Sequence, residues 1–192
     1  MKPKGKQTLT IMKKYNIIYA DPPWEFLKGL WERQNSRASS HYPTMTITEI
    51  CNLGIPLRTY VAENSHLYLW IPSQQLGNGW GKRVYESWGF TLKNILTWVK
   101  PQIGIGYYFR NTTEHLLFGV RGSLRTLDRR QSTDVTANRE RHSTKPDLFR
   151  ELIVRCSGDR PRIELFARQK VKGWDVWGNE VESDIELWDY RN

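Results

Sequence analysis

Apolar residues fall into short runs separated by polar stretches, and the runs change period along the chain. Asn16-Ile17-Ile18-Tyr19-Ala20 is apolar on both faces of an extended backbone and stops at Asp21-Pro22-Pro23-Trp24. This pattern predicts a buried parallel strand with Asp21 at its carboxyl end, where ligands collect in open α/β sheets. The polar stretch after it, through Lys28, Arg33, Ser36, Arg37, Ser39 and Ser40 to His41-Tyr42, predicts a loop over that end. Thr46-Ile47-Thr48-Glu49 has capping-box form, so a short helix runs to about Asn52 and ends at Gly54. His66 to Ile71 reads as a second strand, stopped by Pro72. A helix over Ser73 to Ser87 starts raggedly at Gly77, Gly79 and Gly81 and closes at Gly89. Leu92 to Val99 and Glu114 to Val120 read as strands. From Gly122 to Ser143 the apolar pattern almost disappears, which predicts a mobile or partner-ordered segment. Pro146 opens a helix with Leu148, Phe149, Leu152, Ile153 and Cys156 on one face up to Gly158, and Arg162 to Ala167 is a further strand. The acidic tail around Ile185, Leu187 and Trp188 has an amphipathic pattern but no assigned place. Strands alternating with helices predict an α/β fold, and the length of 192 residues suits one domain over 1–192.

Charge adds a partner. The formal net charge is +9 and the sequence pI about 9.6, which favours a polyanion such as nucleic acid through release of phosphate counterions. Lys2, Lys4, Lys6, Lys13 and Lys14 make a basic N-terminal arm (1–14) or a solvated tail. Arg125, Arg129, Arg130, Arg139 and Arg141 make the stretch 122–143 either a phosphate-contacting loop or a solvated connector; Arg129 and Arg130 are the substrate-contact candidates. Cys51 and Cys156 lack CxxC partners, and His41, His66, His115 and His142 lack metal-ligand spacing, so neither a disulfide framework nor a metal site is expected. His66 reads as a packed strand residue. No apolar run is long enough to span a bilayer, and a soluble, cytoplasmic protein without membrane contact is expected. Gly104-Ile105-Gly106 is not followed by a helical pattern, so it does not read as a dinucleotide-binding turn.

Asp21-Pro22-Pro23-Trp24 suits methylation of an exocyclic amino group. The lone pair of adenine N6 is delocalised into the ring, and acceptors that draw its protons restore nucleophilicity. The Asp21 carboxylate can take one proton and the Pro22 carbonyl the other, while Pro22 and Pro23 supply no competing N–H. Positive charge developing on nitrogen is stabilised by a fixed carboxylate and carbonyl. Trp24 offers a flat surface on which a flipped base can stack. In isolation the same tetrapeptide reads first as a turn that closes a strand, with Trp24 as a core aromatic.

Several further segments resemble, in order, the family of adenine N6 methyltransferases that includes the catalytic subunit of the eukaryotic messenger-RNA methylase and many bacterial and phage relatives. Besides Asp21-Pro22-Pro23-Trp24 these are Tyr42-Pro43-Thr44-Met45, His66-Leu67-Tyr68-Leu69-Trp70, Trp98-Val99-Lys100, Glu114-His115-Leu116-Leu117, Lys145-Pro146-Asp147, Glu164-Leu165-Phe166-Ala167-Arg168 and Trp177-Gly178-Asn179. The resemblance implies a Rossmann-like, three-layer methyltransferase fold with permuted motif order, the catalytic strand early and the cofactor elements late. It implies S-adenosylmethionine as cofactor, held by Lys145, Phe166, Arg168 and Asn179, with Glu180 where relatives often carry Gln. Lys145 then serves as counterion for the cofactor carboxylate. Tyr42 and Asn111 become substrate-contact candidates beside the catalytic Asp21, Pro22, Pro23 and Trp24, and a homo- or heterodimer is a further expectation.

The function expected is N6 methylation of adenine in nucleic acid, DNA favoured over RNA. Two other classes stay open. One is a non-catalytic nucleic-acid-binding subunit, against which the intact Asp21 and Trp24 speak. The other is an amino methyltransferase acting on cytosine N4 or a protein amide, against which Asp21 speaks, because those enzymes more often place Ser or Asn before Pro-Pro.

Overall fold

A computed structural model of the chain describes residues 12–25, 44–104, 108–139 and 145–187. Its strands are β1 (Tyr15–Ala20), β2 (Val61–Ile71), β3 (Thr91–Val99), β4 (Thr113–Arg121), β5 (Asp134–Thr136), β6 (Arg162–Leu165) and β7 (Asp175–Trp177). The helices are α1 (Ile47–Asn52), α2 (Gly54–Leu57), α3 (Ser73–Gly77), α4 (Trp80–Trp88) and α5 (Leu148–Ser157). All seven strands join one sheet in the order β5-β3-β4-β2-β1-β6-β7. β4 alone runs antiparallel to its neighbours; β1 pairs in parallel with β2 on one side and β6 on the other. The chain therefore leaves β1 in one direction and returns to its other flank much later, which makes the carboxyl end of β1 the topological switch point.

Alternate residues of the central strands feed two cores. Ile18 and Ala20 of β1 and Leu67, Leu69 and Ile71 of β2 pack with Ile50 of α1, Leu57 of α2 and Val84, Tyr85 and Trp88 of α4. Ile17, Tyr19, Tyr68 and Trp70 face the other way, against Phe149, Leu152 and Ile153 of α5. The result is a three-layer α/β Rossmann-like sandwich. The Thr46–Glu49 capping box forms, with both reciprocal bonds present, and Gly89 ends α4 at φ 82. No described helix is long and apolar enough to cross a membrane, and the described residues hold no cluster of three His, Cys, Asp or Glu placed to bind a metal.

Four expectations need correction. The helix expected over Ser73 to Ser87 is two helices, because the chain turns at Asn78-Gly79, where Gly79 takes φ 74. β2 begins at Val61, five residues early; Glu63 and Asn64 are exposed there, so the polar start hid it. The segment after Gly122 is not patternless: β5 pairs with β3 from Thr97 to Val99, held by backbone bonds that need no apolar side chains. The last strand before Asp175 ends at Leu165, since Phe166 adopts φ 63 and turns the chain away. The acidic tail also finds a place. Ile185 is buried, and Asp184 covers the open edge of β7, its carboxylate accepting from the Val176 N–H at 2.8 Å while its own N–H donates to the Val176 carbonyl at 2.8 Å. Edge strands left bare invite pairing with other chains, and this contact satisfies the edge instead.

Candidate active site

Asp21 sits one residue beyond β1, at the switch point. Its N–H lies 3.5 Å from the Leu165 carbonyl of β6. Both proline carbonyls are engaged in the turn after it: the Trp24 N–H donates to the Pro22 carbonyl at 2.9 Å, and the Met45 N–H to the Pro23 carbonyl at 2.7 Å. Glu25 N–H in turn donates to the Met45 carbonyl at 3.1 Å, so the tetrapeptide is tied to the residues that lead into α1. Gln75 of α3, buried, donates its Nε2 to the Glu25 carbonyl at 2.8 Å. The Pro22 carbonyl has one lone pair engaged by Trp24 and a second available.

Trp24 is not placed as a stacking platform. Its indole is 6% exposed, donates Nε1–H to the Trp70 carbonyl at 2.9 Å, and packs against Trp80 with ring centroids 6.3 Å apart. Anchoring the turn that presents Asp21 leaves no base-sized face of this ring open.

Lys145, just before the Pro146-Asp147 turn that leads into α5, reaches back to Asp21: Nζ donates to Oδ2 at 2.6 Å. The same ammonium lies 3.4 Å from Oε2 of Glu114, and Glu114 also accepts from Lys100. Beneath the four charges are indole faces, Trp70 at 5.1 Å from Lys145 Nζ and Trp98 at 4.7 Å from Lys100 Nζ. Trp98 and Glu114 are paired across β3 and β4, which explains how Lys100 and Glu114 meet. Burial alone would lower the ammonium pKa of Lys145, but the Asp21 and Glu114 carboxylates outweigh it and raise the value. Burial likewise pushes Glu114 up, and Lys145 with Lys100 more than reverses this, holding its carboxyl below the usual range. Two carboxylates and two ammonium groups therefore share one cluster, in which Lys145 and Glu114 are each held in the charged form by their neighbours. Glu114 and Lys100 belong to segments that the family resemblance singles out, yet pattern alone marks neither as a site residue; a Lys or Glu at a strand end shows no partner in sequence.

The candidate cofactor residues other than Lys145 converge on the far side of β1. The Ala167 N–H donates to the Trp177 carbonyl at 3.0 Å, so Phe166-Ala167-Arg168 runs beside Trp177-Gly178-Asn179. A Cβ on Gly178 would lie 2.2 Å from the Ala167 carbonyl oxygen, so only glycine allows this approach. Phe166 is buried edge-on against Trp177, with centroids 5.3 Å apart, and Arg168 Nε lies 3.6 Å from Oε1 of Glu180. Asn179 is half-buried. Asn111 stands two residues before β4 at the same end of the sheet, its carbonyl 3.4 Å from Arg139 Nη2.

Arg129 and Arg130 are not brought to Asp21. The Arg130 N–H donates to Asp128, and Asp128 pairs with Arg155 in the last turn of α5, whereas Lys145 at the start of that helix meets Asp21. The helix from Leu148 to Arg155 lies between the two, roughly 10 Å at 1.5 Å per residue. Among the described residues of this stretch, the arginine that does lie at the Asp21 end is Arg139. Tyr42 and the whole of the expected loop from Lys28 lie outside the described residues.

The MT-A70 family profile matches residues 15–180. The chain is 33% identical over 196 residues to the type II methyltransferase M.MunI of a Mycoplasma species, covering 91% of this chain and 82% of that protein. It is 29% identical to a putative N(6)-adenosine-methyltransferase MT-A70-like protein of Medicago truncatula, over 94% of this chain and 28% of that one. Against the N(6)-adenosine-methyltransferase catalytic subunit of Homo sapiens the identity is 26%, over 91% of this chain and 29% of the human one. The chain thus spans most of the Mycoplasma protein and under a third of the adenosine methyltransferases.

Proposed function

The chain belongs to the MT-A70 family, and on that premise we propose that it transfers a methyl group to the exocyclic N6 of adenine in nucleic acid, with S-adenosylmethionine as the donor. The observation that carries this reading is Asp21-Pro22-Pro23-Trp24 held at the carboxyl end of β1, with Lys145 fixed on the Asp21 carboxylate. Bound there, S-adenosylmethionine would supply an electrophilic methyl group. The residues suit it: Arg168, Asn179 and Glu180 offer donors and acceptors for ribose and adenine groups beyond the ends of β6 and β7, and Lys145 is the cation for its carboxylate.

Asp21 receives one proton of the target amine through hydrogen bonding, and the free lone pair of Pro22 O receives the other. No backbone N–H of Pro22 or Pro23 opposes the cationic nitrogen. Lys145 must then share Asp21 or release it, and Glu114 at 3.4 Å provides its second acceptor. Electrostatic arrangement of this kind acts on the charge of the transition state. DNA is favoured over RNA because the chain spans 82% of the type II methyltransferase but only 28% and 29% of the two adenosine methyltransferases.

The test is incubation of the full chain with radiolabelled S-adenosylmethionine and matched DNA or RNA, followed by identification of the methylated nucleoside. N6-methyladenine formed by wild type and lost in Asp21→Ala, with donor affinity held within several-fold, is the expected result. A methylated cytosine or protein amide, or full turnover by folded Asp21→Ala, would refute the reading.

A further inference from the structure

The connection between β3 and β4 carries the largest exposed apolar side chains of the described residues. Ile103 is 73% exposed, Tyr108 83% and Phe109 85%. Leaving two neighbouring aromatics in water forgoes about 1.5–3 kcal/mol for each ring that could be buried, so the pair is not there for the core. The base from which they project is built. The Lys100 N–H donates to the Thr112 carbonyl at 2.7 Å, continuing the β3–β4 hairpin past its last paired strand residues. Gly104 is packed so closely on the other side of the loop that a Cβ would lie 2.2 Å from the Asn111 carbonyl oxygen. Arg139, following β5, donates to that same carbonyl at 3.4 Å, and Gln102 Nε2 donates to Asn138 Oδ1 at 2.9 Å. The stem is thus braced against the exit of β5.

Its position matters as much as its exposure. The loop starts at Lys100 and ends just before Glu114, both members of the charge cluster around Asp21. Arg110 and Arg139 flank the aromatics. A ring pair beside two guanidinium groups, at the rim of a site that takes a base out of its stack, has the composition of a surface for nucleobases: every base offers a π-face, and the cations meet the phosphates between them. Aromatic rings beside arginines also line protein interfaces, and a second copy of the chain is therefore one outcome of the test below. Extruding an adenine also leaves its neighbours unstacked, at a cost of a few kcal/mol that stacking on a side chain offsets.

We propose that Tyr108 and Phe109 form a stacking tip that engages the bases flanking the target adenine, with Arg110 and Arg139 on the adjoining phosphates. The proposal rests on the methylation reading for the identity of the target but is tested by binding alone. The full chain is titrated into a fluorescein-labelled adenine-containing single strand and into its duplex, at several salt concentrations, for wild type, Phe109→Leu, Phe109→Trp and Tyr108→Ala. Leucine keeps an apolar side chain of similar size and loses the flat ring. Phe109→Leu and Tyr108→Ala should each weaken binding about 5- to 150-fold with the salt slope unchanged, and Phe109→Trp should bind as wild type does. Arg139→Gln should instead flatten the slope by about 0.7 to 0.9. Binding by Phe109→Leu equal to wild type, or failure of Phe109→Trp to restore it, overturns the proposal. So does a wild-type dimer, seen by sedimentation, that Phe109→Leu splits, since the loop would then belong to a second copy. Phe109 is exposed, so these variants fold. If wild type binds the oligonucleotides but methylates neither, the methylation reading fails while the stacking result stands by itself.

Discussion

Lys145→Met removes one cation from between two carboxylates while keeping the length of the side chain. In the wild type Nζ is 2.6 Å from Asp21 and 3.4 Å from Glu114, with the lysine side chain 14% exposed and the two carboxylates 35% and 32%. Breaking a fully buried pair leaves an uncompensated charge and costs roughly 3–5 kcal/mol; here solvent reaches about a third of each carboxylate and Lys100 remains on Glu114, so the expected loss is about 2 kcal/mol at pH 7. For a chain of this size that lowers Tm by about 4–8 °C. The sign with pH is fixed by Glu114. Its carboxyl pKa is depressed in the folded protein, so its contribution is present above the ordinary value of 4.5 and is lost as pH falls through the folded value. The gap between wild type and Lys145→Met should therefore be widest near neutrality and shrink below about pH 4.5. At the alkaline end Lys145, whose pKa is raised, gives stability that is full below its ordinary value of 10.5 and disappears as pH rises through the folded value. Urea unfolding of both proteins across this range measures the gap. A difference under about 0.5 kcal/mol at pH 7, or one that persists undiminished in acid, would refute the account of the cluster.

The geometry sets three other outcomes. Neutralising Arg129 and Arg130 together should leave the salt slope of oligonucleotide binding unchanged, because they lie at the α5 C-terminal end of the sheet, whereas Arg139→Gln should flatten it; fluorescence titration at several salt concentrations distinguishes them. Gly119→Ala should destabilise by about 1–3 kcal/mol in urea unfolding: the new Cβ would lie 2.1 Å from Tyr85 Cε1, and Tyr85 cannot withdraw, since its hydroxyl lies 2.7 Å from the Leu117 carbonyl and 2.9 Å from that of Leu67. His66 and His115 both have lowered pKa values, burial being the main cause in each, so folded stability is full above the ordinary 6.5 and falls with acid toward the folded values, by at most about 1.4 kcal/mol per pH unit for each. His66→Gln should remove about half of that slope, and an equal slope in the two proteins would count against the assignment.

What the sequence made legible was whatever depended on local pattern. β1 stood out because both of its faces are buried and prolines end it; α1 because Thr46 and Glu49 cap each other; α5 because its apolar face repeats every three to four residues. β5 and β7 have three residues each, too few for any period to show, and they are held by neighbours already in place. The break between α3 and α4 was invisible for a different reason: three glycines near one another mark a weak helix without saying which of them turns.

The site divides along the same line. Asp21 was legible because the residues that give it its chemistry are its sequence neighbours, and the prolines state their own consequences. The cation that pairs with Asp21, Lys145, comes from 124 residues away, and the second acceptor of that cation, Glu114, is set by the β3–β4 register, which no periodicity reveals. Charge counting failed for the same reason at Arg129 and Arg130. Five arginines in a polar segment are equivalent in sequence, but β5 passes through that segment and points its two ends toward opposite ends of the sheet, so Arg139 arrives at the Asp21 rim while Arg129 and Arg130 stay at the other end. Trp24 shows the converse error. An aromatic after a catalytic turn reads as a platform, yet a turn with two proline carbonyls directed at neighbouring N–H groups has few other ways to be fixed, and the buried indole bonded to Trp70 O supplies that fixation. The residue type was right for the site, and the force that set its orientation was packing.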